Sequence, residues 1–169
     1  VGVGSMWLTP TLPEFHNLYP DINMELLLSD DDLDLSMREA DIAIRLHMPT
    51  KPDLIQRRLF TVHNHVYASP GYIRRFGMPK TIDDIDNHCI LTFGASPGYL
   101  SNINWLETIG RAENDPRKSV LKVNNVYGLR RAVQTGMGIA SIPDYIVGRE
   151  TSLILVPLEV EPPSFDTYL

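Results

Sequence analysis

Residues 38–45 read Arg-Glu-Ala-Asp-Ile-Ala-Ile-Arg, and no other stretch constrains the chain as much. Ahead of it, Leu33, Met37 and Ala40 recur at helical spacing. Within it, Ile42 and Ile44 flank Ala43 in a short β-branched run. The pattern predicts a helix ending near residues 38–40 and a buried strand over 41–46. Asp41 falls at the junction, where a short polar side chain bonds the turn backbone. Arg45 then sets a charge at the end of a buried strand. Open α/β sheets bind ligands beyond their strand ends, so Arg45 is a candidate binding residue as well as a candidate partner for a nearby carboxylate.

The rest of the chain continues the alternation. Residues 1–5 read as a loop after a strand. Thr9 is placed to cap a helix with Pro10 in its first turn. Leu8, Leu12, Phe15 and Tyr19 form the apolar stripe of that helix, and Pro20 ends it. Ile22, Met24, Leu26 and Leu28 share one face of a predicted strand. An extended region follows over 54–68, then a short helix after Ser69-Pro70 that Gly77 and Pro79 stop. Thr81 caps a turn with Asp83 and Asp84. Strands are expected over 89–93, 119–123, 138–142 and 153–156. Asn125 caps a helix over 126–135, stopped by Gly136. Residues 94–116 give no clear pattern beyond loops and a hairpin, and the Pro-rich 157–169 reads as a connection. Strands alternating with helices predict an α/β fold with largely parallel sheet and no split into independently folding domains.

Composition removes several functions. The formal net charge is −6 and the sequence pI is about 5.3. Positive charge gathers in short pairs such as Arg57–Arg58, Arg74–Arg75 and Arg130–Arg131, so this stretch alone is a poor match for a nucleic-acid binder. No apolar run approaches the roughly 18–20 residues of a membrane span, and no signal-peptide pattern is present. The sequence opens on Val1 rather than Met and reads as a fragment. The single cysteine, Cys89, reads as a packed thiol rather than a nucleophile.

Catalytic and metal signatures are equally thin. There is no G-x-S-x-G elbow, no Walker loop and no G-x-G-x-x-G. Gly2/Gly4 and Gly136/Gly138 are pairs lacking a third glycine. Asp30, Asp32 and Asp34 imitate the start of an EF-hand loop, but Leu35 stands where that loop needs glycine. His63 and His65 share a strand face without a third ligand at metal spacing. The chain is expected to be no enzyme and to carry neither cofactor nor metal.

Taken in order, the segments resemble the effector-binding domain of LysR-type transcriptional regulators. The resemblance rests on Trp7-Leu8-Thr9-Pro10 with Phe15, Tyr19-Pro20-Asp21-Ile22, residues 38–45, and residues 54–59 (LIQRRL). It continues through residues 67–79 (YASPGYIRRFGMP), 88–93 and 124–145 (NNVYGLRRAVQTGMGIASIPDY). It spans nearly the whole chain. It implies two Rossmann-like lobes with a cleft between them, like type 2 periplasmic binding proteins. Lobe I would be 1–66 with 143–169, and lobe II 67–142, the chain crossing near 66–69 and 141–143.

The resemblance also implies a small effector in the cleft, a cytoplasmic protein without membrane contact, a homodimer through this domain and a tetramer of the full-length protein. Helix 9–19 with strand 22–28 would face helix 126–135 with strand 119–123 of the partner. DNA would be bound only by an N-terminal domain absent from this sequence. Effector contacts carried over by position are Val3, Gly4 and Ser5 in the first loop, Ser29, Arg45 and Leu46 at strand ends, Thr92, and Asn125. Hydroxyls, amides and helix starts suit a small carboxylate. A solute-binding protein of a transporter would share the fold and is the alternative.

Overall fold

The computed structural model describes residues 1–29, 39–48, 54–94, 98–112, 114–148 and 152–169. The helix expected before residue 39, the acidic run 30–34 and the loop at 49 lie outside those residues. The chain separates into two compact units, Val1–Thr61 with Phe165–Leu169, and Val62–Ser164.

The first unit opens on helix, not loop. A turn at Gly2–Val3 runs into a π-helical segment, Gly4–Leu8, a 3-10 turn, Thr9–Thr11, and helix α1, Leu12–Leu18. Thr9 therefore sits inside a continuous helical run, and its hydroxyl donates to the Gly4 carbonyl at 2.8 Å instead of capping. Only Val3 of the opening turns is buried. The expected apolar stripe is largely outward, with Phe15 38% and Tyr19 52% exposed. Their rings lie 5.1 Å apart, one helical turn from each other.

Residues 22–28 keep their alternating pattern but form no strand, and Ile22, Met24, Leu26 and Leu28 are all exposed. The same holds for 41–46, where Ile42 is 70% exposed and the pairing is a single bridge between Arg45 and Tyr168. An extended segment becomes a strand only when a neighbour completes its ladder. Among the described residues Tyr168 alone does so for 41–46.

Strand β1, Arg58–Ala68, passes from one unit into the other. Its two-residue period buries Val62, Asn64, Val66 and Ala68 and turns His63 outward. Helix α2, Pro70–Phe76, follows at once. Ser69 Oγ caps it by accepting from the Tyr72 amide at 3.2 Å, and Gly77 ends it at φ +86°. A 3-10 turn, Asp83–Asn87, begins where Thr81 and Asp84 cap each other. Strand β2, Leu91–Phe93, pairs in parallel with β3, Leu121–Val123. Between them a 3-10 segment, Gly98–Asn104, leads into α3, Trp105–Thr108, in place of the expected hairpin.

Helix α4, Val126–Gln134, then leads to β4, Ala140–Pro143, and a one-turn helix α5, Asp144–Val147. β4 pairs antiparallel with β1, setting Val66 opposite Ser141 and Asn64 opposite Pro143. The two segments expected to carry the crossings are thus hydrogen-bonded neighbours. Strand β5, Ile154–Leu155, pairs antiparallel with the end of β1. The expected Pro-rich connection contains a sixth strand, β6, Ser164–Tyr168, also paired with β1. The expectation of largely parallel sheet therefore holds for β2, β3 and the Ile90–Ile139 bridge, while the pairings of β1 with β4 and β5 are antiparallel.

The core lies in the second unit: Val66, Ala68, Tyr72, Ile85, Ile90, Leu106, Ile139 and Val156 pack together. Ile85, Ile139 and Ala68 have no exposed surface. Burying each large aliphatic side chain stabilises the fold by about 1.5–3 kcal/mol. The Tyr72 hydroxyl joins this cluster to β2 by accepting from the Cys89 amide at 2.9 Å, and burial pushes its acidity down, raising its pKa.

Candidate functional site

The candidates divide between the two units. Val3, Gly4, Ser5, Ser29, Arg45 and Leu46 belong to the first, Thr92 and Asn125 to the second.

In the first unit, the opening helix changes what Val3, Gly4 and Ser5 offer. The Ser5 amide and hydroxyl both bond the Val1 carbonyl, at 3.1 and 2.9 Å. Both Ser5 donors are thus occupied within the turn, and the expected first loop is helical. Gly4 packs so closely on Leu28 that a Cβ there would overlap its side chain. This brings the first turn beside the stretch that ends at Ser29. Ser29 itself is exposed. Arg45 exchanges backbone hydrogen bonds with Tyr168, both at 2.8 Å, and Leu46 is half-buried beside it.

In the second unit, Thr92 and Asn125 come to one edge. β2 and β3 are parallel, with Thr92 opposite Lys122 and Phe93 opposite Val123. Both candidates therefore lie towards the carboxyl ends of neighbouring strands, the usual position of a ligand in an α/β sheet. Thr92 is 3% exposed, and its hydroxyl donates to Glu107 Oε1 at 3.3 Å. Lys122 Nζ reaches the same oxygen at 3.1 Å. Asn125 Oδ1 caps α4 by accepting from the Tyr127 and Gly128 amides at 2.9 and 3.1 Å. Its NH2 group is what remains for a ligand.

Several polar residues at this edge escaped the sequence reading. Asn104 clamps the end of β2 in both directions, its amide oxygen on Phe93 N–H and its NH2 on Phe93 C=O, each at 2.8 Å. Trp105 donates its indole N–H to Ser141 Oγ at 2.8 Å, tying α3 to β4. Glu107 lies on the same short helix. All three residues fall in the stretch that gave no pattern.

A second polar group joins β1 to α5. Asp144 accepts from His65 Nδ1 at 2.8 Å and from the Tyr67 hydroxyl at 3.0 Å. Burial and the Asp144 charge push the Tyr67 pKa up to about 12. His65 is thus committed to a carboxylate rather than pointing with His63 at a metal. Among the described residues no three His, Cys, Asp or Glu side chains converge as metal ligands. No described helix is long and apolar enough to cross a membrane.

Comparison with known proteins fits this arrangement. A family model described as the LysR substrate binding domain matches residues 1–169. The transcriptional regulator CrgA of Neisseria meningitidis is 30% identical over 164 residues, which cover 95% of this chain and 53% of that protein. An HTH-type transcriptional regulator of Haemophilus influenzae is 29% identical over 147 residues, covering 86% of this chain and 50% of the relative. The chain thus spans about half the length of these relatives. Among solved structures, the CrgA regulatory domain superposes with a TM-score of 0.81 at 26% identity, covering 99% of this chain and 84% of that one. The AphB regulatory domain of Vibrio vulnificus gives 0.74 at 23% identity, which speaks for the fold alone.

The fold is that of a LysR regulatory domain, an α/β architecture of the two-lobed, periplasmic-binding-protein-like class. The chain belongs to the LysR substrate-binding domain family.

Proposed function

We propose that this chain is the sensing part of a LysR-type transcriptional regulator. It binds a small effector between its lobes, 1–66 with 143–169 and 67–142, and converts binding into a change in how subunits sit on DNA. The observation that carries the reading is the family match over residues 1–169, joined by relatives named as HTH-type transcriptional regulators. A transporter's solute-binding protein would share the architecture, but no observation favours it.

In this reading Thr92 and Asn125 contact the effector from the second unit, and Val3, Gly4, Ser5, Ser29, Arg45 and Leu46 form the remaining wall. Thr92 and the Asn125 NH2 group suit a small carboxylate. The effector selects one arrangement of the lobes by binding it better than the other. DNA contact belongs to a helix-turn-helix segment of the whole regulator, which acts in the cytoplasm as a homodimer or tetramer. The dimer face is α1 with residues 22–28, set against α4 and β3 of a second copy.

The test is a thermal-shift screen of the whole regulator against organic acids, amino acids and aromatic carboxylates, followed by footprinting on its operator. A ligand at about 100 times its Kd adds roughly 2.7 kcal/mol, a shift of several degrees for a domain of this size. A hit that is not consumed and that alters the footprint supports the reading. A hit that is converted to product overturns it.

A further inference from the structure

The second unit contains a groove of about 420 Å3 between α2 and the far end of α4. It lies at the opposite end of α4 from Asn125, so it is a different place from the edge that holds Thr92. With nine residues, α4 separates the two by about 13 Å.

The chemistry of its walls is one-sided. Arg74 and Arg75 line it together with Gln134, Gly136, Ser69 and Ser152, and among the described residues no lining residue is acidic. Among the described residues neither guanidinium has an ion pair. One nitrogen of Arg74 lies 3.8 Å from where a Gly71 Cβ would stand, so this side chain folds back over the groove. Arg75 is held with its charge 5.0 Å from the centre of the Phe76 ring.

The uncharged groups present donors too. Arg131 takes the Gln134 Oε1 oxygen at 3.2 Å, which leaves the Gln134 NH2 group to a ligand. Ser69 Oγ accepts from the Tyr72 amide, so its hydrogen remains to be donated. Gly136 keeps the floor open, because a Cβ there would press on Ser69 Oγ at 3.3 Å. Three carbonyls near the end of α4 are already taken. Thr135, Gly136 and Met137 amides bond the carbonyls of Arg131, Val133 and Ala132.

Donors and positive charge, with no carboxylate among the described lining residues, fit a ligand made of acceptors. Two unpaired guanidiniums match a dianion better than a single carboxylate. The chain as a whole carries −6, so this groove is not a sample of a generally basic surface. We propose that it is a second ligand site, for the phosphate dianion or a phosphomonoester, independent of the effector site.

The experiment titrates the whole regulator with inorganic phosphate, at ionic strength held constant with chloride, and follows both melting temperature and amide NMR shifts. Phosphate is expected to raise the melting temperature and to move the Gly71 and Gly136 signals. Arg74→Gln with Arg75→Gln is expected to weaken binding at least about tenfold, the scale of a lost charge-assisted contact. Arg57→Gln is expected to change nothing. Repeating the titration with glycerol phosphate separates the sources: tighter binding assigns the groove to an ester, equal binding to free phosphate. The proposal is overturned if phosphate moves no signal around the groove, or if the double variant binds as the parent does. The NMR shifts of the parent decide the matter should the variant fold poorly.

Discussion

Thr92 and Glu107 share a hydrogen bond at the edge of the parallel strands: the threonine hydroxyl donates to Oε1 of the glutamate across 3.3 Å. Lys122 approaches the same oxygen at 3.1 Å. A ligand that takes the Thr92 hydroxyl must therefore replace an existing partner. Thr92→Val should cost about 1 kcal/mol of stability, the net worth of one hydrogen bond, in urea unfolding. If Thr92 binds the effector, the same change should weaken affinity about five- to tenfold by isothermal titration. An unchanged affinity for a confirmed effector removes Thr92 from the site.

Arg117 fastens the segment after α3. Its side chain is 5% exposed and pairs with Asp86, while its other nitrogens donate to the carbonyls of Leu106, Ile109 and Ile82. Arg117→Met should destabilise by about 2–4 kcal/mol, because buried carbonyls lose their donors together. Denaturant unfolding checks this, and a loss below half a kcal/mol would falsify the assigned role.

His88 sets a pH dependence. Burial against Tyr72 lowers its pKa below the usual 6.5, an effect that Asp84 only partly offsets. The unfolded chain therefore takes up the proton more readily than the folded one. The stabilisation is complete above pH 6.5 and declines as pH falls from there through the lower folded value. His88→Asn should flatten that decline in thermal melts between neutral and mildly acidic pH. Asp86 works in a lower window: the Arg117 hydrogen bond holds its carboxyl below the usual range, so its contribution fades only as pH drops beneath ordinary carboxylate values.

Leu18 is 67% exposed at the end of α1, beside the exposed Tyr19 and Ile22. If this face pairs with a second copy, Leu18→Glu should leave the melting of the isolated domain within about 0.5 kcal/mol, as surface changes do, yet shift sedimentation towards the monomer. Retention of the dimer by the variant assigns the interface elsewhere.

What the sequence disclosed follows the range of the forces involved. The Ser69 and Asn125 caps, with Gly77 and Gly136 at positive φ, mark α2 and α4 through local chemistry, and both helices stand where their residues indicate. Helix α3 has no side-chain cap and only four residues. It is held by Trp105 bonding Ser141 and by buried Leu106, neither of which leaves a local trace. β6 follows Pro162-Pro163, which read as a linker, and becomes a strand through partners far back in the chain. Residues 22–28 and 41–46 show the converse: their alternation is plain, but alternation alone makes no ladder. Among the candidates, Thr92 and Asn125 rest on resemblance, whereas Glu107, the partner of Thr92, lies in a stretch with no period to mark it.

The clasp between Thr167 and Phe60 has a consequence during synthesis. The threonine hydroxyl donates to the Phe60 carbonyl at 2.7 Å and accepts from its amide at 3.2 Å, across 107 residues. When Phe60 leaves the ribosome, its partner has yet to be translated, and at ordinary elongation rates the wait is roughly 5–20 s. Through that interval the beginning of β1 is an open edge on the nascent chain, the kind of edge to which other chains adhere. The final strand therefore acts as a seal, and the yield of folded protein depends on how that edge is guarded until it arrives.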